Sequence, residues 1–315
     1  MNRLLLTTLV LALLAASSAG AADVKPLAGG SPAPDFKLPG VDGKDHTLSD
    51  YKDAKILIVL FTCNHCPTSQ AYEDRIIRLH EDYQPKGVAL VAISPNDPKA
   101  VRLDELGYTD LNDTLEEMKV RAADKRFEFP YLYDGETQAA SKAYGAIATP
   151  HAFVFDGERK LRYQGRIDDA ERDPAAAKSH DLREAIDALL AGKLPPKAST
   201  NVFGCSTKWA DKRDDNERAV ERWDREEVTL STVDADAVKQ LVKAEGDKAP
   251  LRLVNVWATW CAPCIAEMPE LLAIHRMYRK RAFELVTISI DDAADRDAAL
   301  GMLKENRLSA TNHLF

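Results

Sequence analysis

The fold is decided by residues 56–67, ILIVLFTCNHCP, in which an apolar run ends at a pair of cysteines. Ile56 to Phe61 is continuously apolar and rich in β-branched side chains, which predicts a strand buried on both faces. Residues 67–83 carry an apolar stripe at helical spacing and predict a helix. Cys63 and Cys66 therefore lie where a buried strand gives way to a helix.

The same arrangement returns in the second half, in residues 251–264, LRLVNVWATWCAPC. The apolar run at its start predicts a strand, and a predicted helix follows Cys261 and Cys264. Residues 283–290 predict the next strand, and residues 293–306 the next helix. The order strand, Cys-x-x-Cys, helix, strand thus occurs twice, which indicates a repeat on the scale of a domain.

The remainder of the first unit has further signals of alternating strands and helices. Gly157 to Lys160 is typical of a hairpin turn. A charged insertion at 96–128 is predicted to be helical around 115–121. The other predicted elements are strands at 88–93, 131–133, 152–155 and 161–165, and a helix at 182–190. The chain is therefore predicted to be an α/β protein.

Length and composition limit the class of protein. The chain has 315 residues, with 42 Lys and Arg against 50 Asp and Glu, a net charge of −8. This length predicts two domains. The acidic balance argues against a nucleic-acid partner, because such proteins usually present a basic face to the phosphates. The 5 cysteines are too few for a disulfide scaffold.

The first 21 residues have the pattern of a signal peptide. Arg3 is followed by a short apolar run at 4–16, and small residues precede a cut after Ala21. The run is too short for a spanning helix, which needs about 20 residues, so no stable membrane insertion is expected after cleavage. We expect an exported protein, periplasmic in a bacterium or secreted.

A highly charged segment separates the two predicted units. Both signs of charge are mixed in residues 211–227, which is typical of a solvated linker or surface helix. We therefore predict four segments: a signal peptide at 1–21, a first domain at 22–195, a charged linker at 196–227, and a second domain at 228–315.

Each Cys-x-x-Cys pair has the spacing and context of a redox site. Near a helix N-terminus, unpaired N–H groups favour a thiolate, which is the attacking species in disulfide exchange. Cys63 and Cys261 are the expected nucleophiles, and Cys66 and Cys264 the resolving cysteines. A four-cysteine zinc site and inert disulfides remain as alternatives. Haem attachment is excluded, because no histidine directly follows either second cysteine.

These motifs resemble the thioredoxin superfamily. Residues 257–264, WATWCAPC, followed by 267–271, EMPEL, are similar to the periplasmic thiol-disulfide reductases of the TlpA/ResA type. Residues 33–36, APDF, the Cys63–Cys66 site and residues 148–150, ATP, resemble the redoxin branch, which is peroxiredoxin-like. The resemblance implies two tandem thioredoxin-like folds, each a central mixed sheet flanked by helices.

The resemblance also implies roles for single residues. Pro150 matches the cis-proline that faces the active cysteines, where free backbone groups pair with a substrate strand. Glu267 matches a partly buried acid with a raised pKa that moves protons to and from the thiols. His65 stands where disulfide-forming members carry a histidine, and a cation there makes a site more oxidising. We therefore expect the first site to have the higher reduction potential.

Together these features predict a thiol-disulfide oxidoreductase. Its partners are expected to be protein thiols and disulfides and an upstream thiol electron donor, with no organic cofactor and no metal. One alternative is a peroxiredoxin-like thiol peroxidase with antioxidant activity, because Cys66-Pro67-Thr68 is similar to the peroxiredoxin motif. Here, however, Cys63 stands where that motif has Thr. A non-catalytic docking module is the other alternative.

Two features remain open at this point. Cys205 is either a resolving partner for Cys63 or Cys66, a link to another chain, or a spare thiol. The second unit has strand, helix, strand and helix and then ends at Phe315. It lacks residues for a cis-proline strand, its hairpin partner and a last helix, so we expect the second fold to be incomplete and the chain to be cut short.

Overall fold

The computed structural model describes residues 24–109, 111–243 and 250–315. The signal peptide predicted for residues 1–21 lies outside these ranges. In the part of the chain that is described, no helix has both the length and the apolar character needed to cross a bilayer. Helices surround two larger sheets, one of five strands and one of four.

The five-stranded sheet is mixed. Its strand order is β5-β4-β3-β7-β8; β3, β4 and β5 are parallel, whereas β7 runs antiparallel to β3, and β8 to β7. This confirms the predicted α/β fold with a mixed central sheet. The elements of this half are β1 (Lys37–Pro39), β2 (Asp45–Thr47), β3 (Ile56–Phe61), α1 (Pro67–Tyr83), β4 (Val88–Ser94), α2 (Leu115–Lys125), β5 (Tyr131–Tyr133), α3 (Ala139–Tyr144), β6 (Ala148–Thr149), β7 (His151–Phe155), β8 (Leu161–Gly165), α4 (Asp181–Leu190) and β9 (Cys205–Ser206).

The central strand β3 has every residue buried. Its side chains alternate between two apolar clusters, with Ile58 and Leu60 in one and Val59 and Phe61 in the other. Because both faces of the strand are covered, its sequence is a continuous run of apolar residues. Phe61, the last residue of β3, is paired with the parallel strand β4 on one side and with the antiparallel strand β7 on the other. The segment that carries the cysteines begins directly after Phe61.

The four-stranded sheet has the order β10-β13-β12-β11, and all of its neighbouring strands are parallel. The prediction that the second unit ends after a helix is wrong, because β13 follows α9. A strand this short has no clear periodicity and forms by pairing with β10 and β12. The elements of this half are α5 (Arg213–Asp224), β10 (Ser231–Thr232), α6 (Ala235–Leu241), β11 (Leu251–Trp257), α7 (Ala262–Ala266), α8 (Met268–Tyr278), β12 (Phe283–Ser289), α9 (Arg296–Glu305) and β13 (Thr311–Leu314).

The strands β3 and β11 each lead into a cysteine pair, but their neighbours differ. β3 lies between β4 and β7, whereas β11 pairs with β12 on one side and with no other strand of the described residues. Val256 in β11 is accordingly 53% exposed, whereas Leu60 in β3 is fully buried. The first cysteine pair is therefore enclosed, and the second lies at an open sheet edge.

The first part of the predicted linker is attached to the five-stranded sheet. The Gln164 N–H donates to the carbonyl of Ala198, and the Thr200 N–H donates to the carbonyl of Gln164, each at 3.1 Å. β9 then pairs with β6. Only the second part is the surface helix that its mixed charges predict, α5, which buries Ala219 and Trp223.

Candidate active site

The ends of β3 and α1 position the first cysteine pair. Cys66 is the N-cap residue of α1, and its carbonyl accepts the first helical hydrogen bond, from the Gln70 N–H at 3.0 Å. Cys63 lies in the turn between strand and helix. Both residues are buried, with 3% of Cys63 and 0% of Cys66 exposed. Cys63, the expected nucleophile, is therefore enclosed in this conformation, because the turn between β3 and α1 is covered.

The loop that carries Pro150 faces both sulfurs. The Thr149–Pro150 peptide bond is cis, as the sequence predicts. The Oγ1 of Thr149 lies 3.1 Å from the Cys63 Sγ, and the Thr149 carbonyl oxygen lies 3.4 Å from the Cys66 Sγ. Thr149 thus contacts both cysteines. The role of Pro150 in binding a substrate strand stays a prediction.

Cys205 joins the same cluster from the far end of the unit. β9 pairs antiparallel with β6, and Cys205 stands opposite Thr149 in this register. Gly204 makes the close approach possible: its φ is +127°, and a Cβ there would lie 2.1 Å from the Thr149 carbonyl oxygen. Thr149 therefore links Cys205, its partner in the register, to the Cys66 sulfur 3.4 Å from its carbonyl oxygen. The site therefore holds three cysteines rather than the two that the motif predicts.

The negative charge of this cluster belongs on Cys66. Hydrogen bonds from the Cys205 and Cys63 thiols lower the pKa of Cys66, and its position at the α1 N-terminus acts in the same direction. Burial and the hydrogen bond with Cys66 raise the pKa of the Cys63 thiol well above its usual range. The hydrogen bond to Cys66, with burial, also raises the pKa of Cys205. Of the three cysteines, Cys66 is thus the one whose thiolate the site favours most.

A buried ion pair lies beside the cysteines. The Nδ1 of His65 lies 2.6 Å from the Oδ2 of Asp113, just before α2, and both side chains are almost fully buried. Burial opposes protonation of the ring, but the Asp113 carboxylate outweighs it and raises the pKa of His65. The Asp113 carboxylate therefore favours the cationic form that the resemblance implies for His65. Its partner Asp113 lies in a charged insertion that carried no motif, so sequence reasoning missed it.

Three of these side chains have the spacing of a metal site. Cys63, His65 and Asp113 each offer a ligand atom, and these atoms lie within 4.8 Å of one another. The Asp113 oxygens, however, already accept four hydrogen bonds, from the Asn64 and His65 backbone N–H groups, the His65 ring and the Asn96 amide. All four of these donors belong to the protein itself. The Asp113 carboxylate therefore has a role without a metal ion, which is to orient the His65 ring.

The second cysteine pair has a different environment. Cys261 is the N-cap residue of α7 and forms a disulfide with Cys264. The neighbouring Trp260 is 72% exposed. Glu267, which joins α7 to α8, is also exposed, so the prediction that it is a partly buried acid is wrong in this structure. Among the described residues, no strand covers the side of β11 next to this pair.

Comparison with known proteins agrees with this architecture. Residues 30–164 match the AhpC/TSA family. A stretch of 66 residues is 41% identical to the thiol-disulfide oxidoreductase ResA of Oceanobacillus iheyensis. The match covers 21% of this chain and 30% of that protein. This chain thus spans less than a third of that curated relative.

Two solved structures are similar over most of their own length. A hypothetical protein from Sinorhizobium meliloti 1021 is 35% identical with a TM-score of 0.53, covering 59% of this chain and 97% of that one. An uncharacterized conserved protein from Geobacillus kaustophilus is 38% identical with a TM-score of 0.51, and the match covers 58% of this chain and 92% of that one. With the mixed sheet, the strand–cysteine–helix junction and the cis-proline loop, these matches show that the chain belongs to the thioredoxin superfamily.

Proposed function

We propose that the protein is an exported thiol-disulfide oxidoreductase that exchanges electrons with protein thiols and disulfides at Cys63–Cys66 and Cys261–Cys264. The observation that carries the proposal is the Cys66 sulfur, placed at the N-terminus of α1 beside the cis-proline loop and in one cluster with Cys63 and Cys205. A static crosslink needs no stabilised thiolate, whereas disulfide exchange does. Export is supported by the signal-peptide pattern of residues 1–21.

The reaction is a two-step exchange. A thiolate of the reduced pair attacks a disulfide of the substrate, so one protein–substrate disulfide forms and one substrate sulfur leaves. The second cysteine then attacks this mixed disulfide, which closes the Cys-x-x-Cys disulfide and releases the second substrate sulfur. The substrate has gained two electrons. An upstream thiol donor then supplies two electrons to the protein and reduces its cysteine pair again.

The electrostatics of the first site favour an oxidising couple. The pKa of Cys66 is lowered, and the neighbouring His65 has a raised pKa that favours its cationic form, so the reduced form of the site is favoured. The second pair has Ala262 and Pro263 between its cysteines and lacks a cation in that place. We therefore propose that the first couple has the higher reduction potential.

We also propose the division of the chain that the sequence predicts, with thioredoxin-like units at 22–195 and 228–315 and a linker at 196–227. The cysteine-bearing strand–helix junction in each sheet supports it. The contacts of residues 198–206 with the five-stranded sheet favour assigning that part of the linker to the first unit.

Reduction of insulin disulfides by dithiothreitol tests the proposal. The mature protein should accelerate the reaction, and a variant with Cys66→Ser and Cys261→Ser should lower the catalysed rate by about tenfold or more, because both pairs lose a sulfur. Ser206→Ala, an exposed neighbour of the site, is the matched control. If the unmutated protein does not accelerate insulin reduction, the proposal fails and a docking module becomes the better account.

A second candidate function, peroxide reduction, is favoured by one specific observation. Cys66-Pro67-Thr68 places a low-pKa cysteine at the start of a helix, within the region that matches the AhpC/TSA family. Its thiolate would attack one peroxide oxygen to give a sulfenic acid and release water or an alcohol. Rapid peroxide consumption that is lost in Cys66→Ser would promote this function over disulfide exchange. Consumption no faster than that of a free thiol would remove it.

A further inference from the structure

Access to the sulfurs of the first site is unequal. Cys63 and Cys66 are 3% and 0% exposed, whereas Cys205 is partly exposed. A disulfide in a folded protein must bring its sulfur into contact with the attacking sulfur, so it cannot reach the buried pair in this conformation. The sulfur that a protein partner meets first is therefore that of Cys205.

The position of Cys205 is fixed by its surroundings. β9 pairs with β6, next to the cis-proline, and thus occupies the strand edge that an extended substrate would otherwise use. The following residues anchor it: the Thr207 N–H donates to the Ile147 carbonyl at 3.1 Å, and the Lys208 N–H donates to the Asn96 Oδ1 at 2.8 Å. These bonds fix Cys205 beside Thr149, whose carbonyl oxygen lies 3.4 Å from the Cys66 sulfur.

We propose that Cys205 is a third redox cysteine that relays the disulfide between protein partners and the buried Cys63–Cys66 pair. This inference rests on the proposed disulfide exchange at the first site. The substrate class is a folded protein with a surface disulfide or dithiol, which makes its mixed disulfide with Cys205 rather than with Cys63 or Cys66.

The relay consists of three exchanges, and each breaks one sulfur–sulfur bond and forms one. Cys205 attacks the substrate disulfide and gives up its proton, which the first substrate sulfur takes as it leaves. The Cys66 thiolate then attacks Cys205, releasing the second substrate sulfur as a thiolate. Last, Cys63 attacks Cys66, its proton passes to Cys205, and the Cys63–Cys66 disulfide remains. The substrate gains two electrons and the protein loses two.

The charges in the site suit the middle step. The lowered pKa of Cys66 favours its thiolate, which is the attacking species in this step, and the raised pKa of Cys205 favours a protonated thiol in the resting site.

The first test isolates the disulfide. In a full-length Cys63→Ser variant that also carries Cys261→Ser and Cys264→Ser, oxidised glutathione should form a Cys66–Cys205 disulfide, detected by non-reducing peptide mass spectrometry. The companion variant with Cys66→Ser in place of Cys63→Ser should yield no Cys63–Cys205 disulfide. Absence of the Cys66–Cys205 peptide, or equal yields in both variants, overturns the relay.

The second test measures transfer to a protein. With the second site silenced by Cys261→Ser and Cys264→Ser, Cys205→Ser should slow insulin reduction by about tenfold or more. Its Cys63–Cys66 disulfide should still form in glutathione buffer, which shows that the variant is folded. Ser206→Ala should reduce insulin at the unmutated rate. If Cys205→Ser is as fast as its parent while Cys66→Ser is inactive, the relay is refuted and the proposed function stands.

Discussion

Replacing Asp113 by Asn removes the charge that holds His65, and the structure gives its cost. In Asp113, Oδ1 accepts hydrogen bonds from the Asn64 and His65 backbone N–H groups at 2.7 and 3.2 Å, and the oxygen of Asn can still accept both. The new amide group, however, replaces the Oδ2 that accepts from the His65 ring at 2.6 Å and from the Asn96 amide at 2.7 Å. Breaking a buried, hydrogen-bonded ion pair costs about 3–5 kcal/mol.

The pH dependence of this loss follows from the two pKa shifts. The pKa of Asp113 is lowered from 3.8, so its contribution to stability is complete above that pH and is lost as the pH falls through the folded value. The pKa of His65 is raised from 6.5, so its contribution is complete below that pH and is lost as the pH rises through the folded value. The difference between Asp113→Asn and the unmutated protein should therefore be largest between these two pH values.

Urea unfolding of the reduced protein, followed by circular dichroism, measures this difference. Asp215→Asn is the matched control, because its ion pair with Arg218 is exposed and therefore contributes little to stability. Thiolate absorbance gives a second readout: loss of the His65 charge should raise the pKa of Cys66. A loss below about 1 kcal/mol for Asp113→Asn, or one that grows steadily from pH 4 to pH 9, would refute the reasoning.

Three further predictions concern single side chains. Gly204→Ala should destabilise the protein by about 1–3 kcal/mol in urea unfolding, because its Cβ would meet the Thr149 carbonyl oxygen; it should also speed alkylation of Cys205, and unchanged alkylation would contradict this. Thr149→Val should raise the pKa of Cys63 still further, measured by thiolate absorbance, because the hydroxyl 3.1 Å from its sulfur is lost; an unchanged or lower pKa would contradict it. Glu267→Gln should change stability by less than about 0.5 kcal/mol and leave insulin reduction near its unmutated rate, because the side chain is exposed; a large fall in rate would restore the proton-transfer role.

Much of the fold could be predicted because its strongest signals are local. β3 and β4 are apolar runs, and the Gly157–Lys160 turn leads into β8, whose residues alternate in burial. α1 begins at Pro67, a residue suited to the first turn of a helix. Each of these elements carries its own pattern, so no tertiary information is needed to find it.

The rest depends on contacts between distant residues. Asp113 carries no motif and gains its importance from its distance to His65. The two-residue β9 has no periodicity and forms because Cys205 pairs with Thr149. The predicted burial of Glu267 comes from resemblance and requires a covering strand that the described residues do not supply. Asp113 and Cys205 each contact a residue far away along the chain, and the spacing of residues in the sequence does not predict the distance between such partners in space.

A redox titration of the unmutated protein tests the central claim most directly. Samples equilibrated in glutathione buffers are alkylated, and mass spectrometry gives the fraction of each cysteine in a disulfide. We predict that the first site forms a disulfide reversibly, at a higher reduction potential than Cys261–Cys264, because the Cys66 thiolate stabilises its reduced form. Free Cys63, Cys66 and Cys205 thiols across the whole range, or a first couple with the lower potential, would contradict the account.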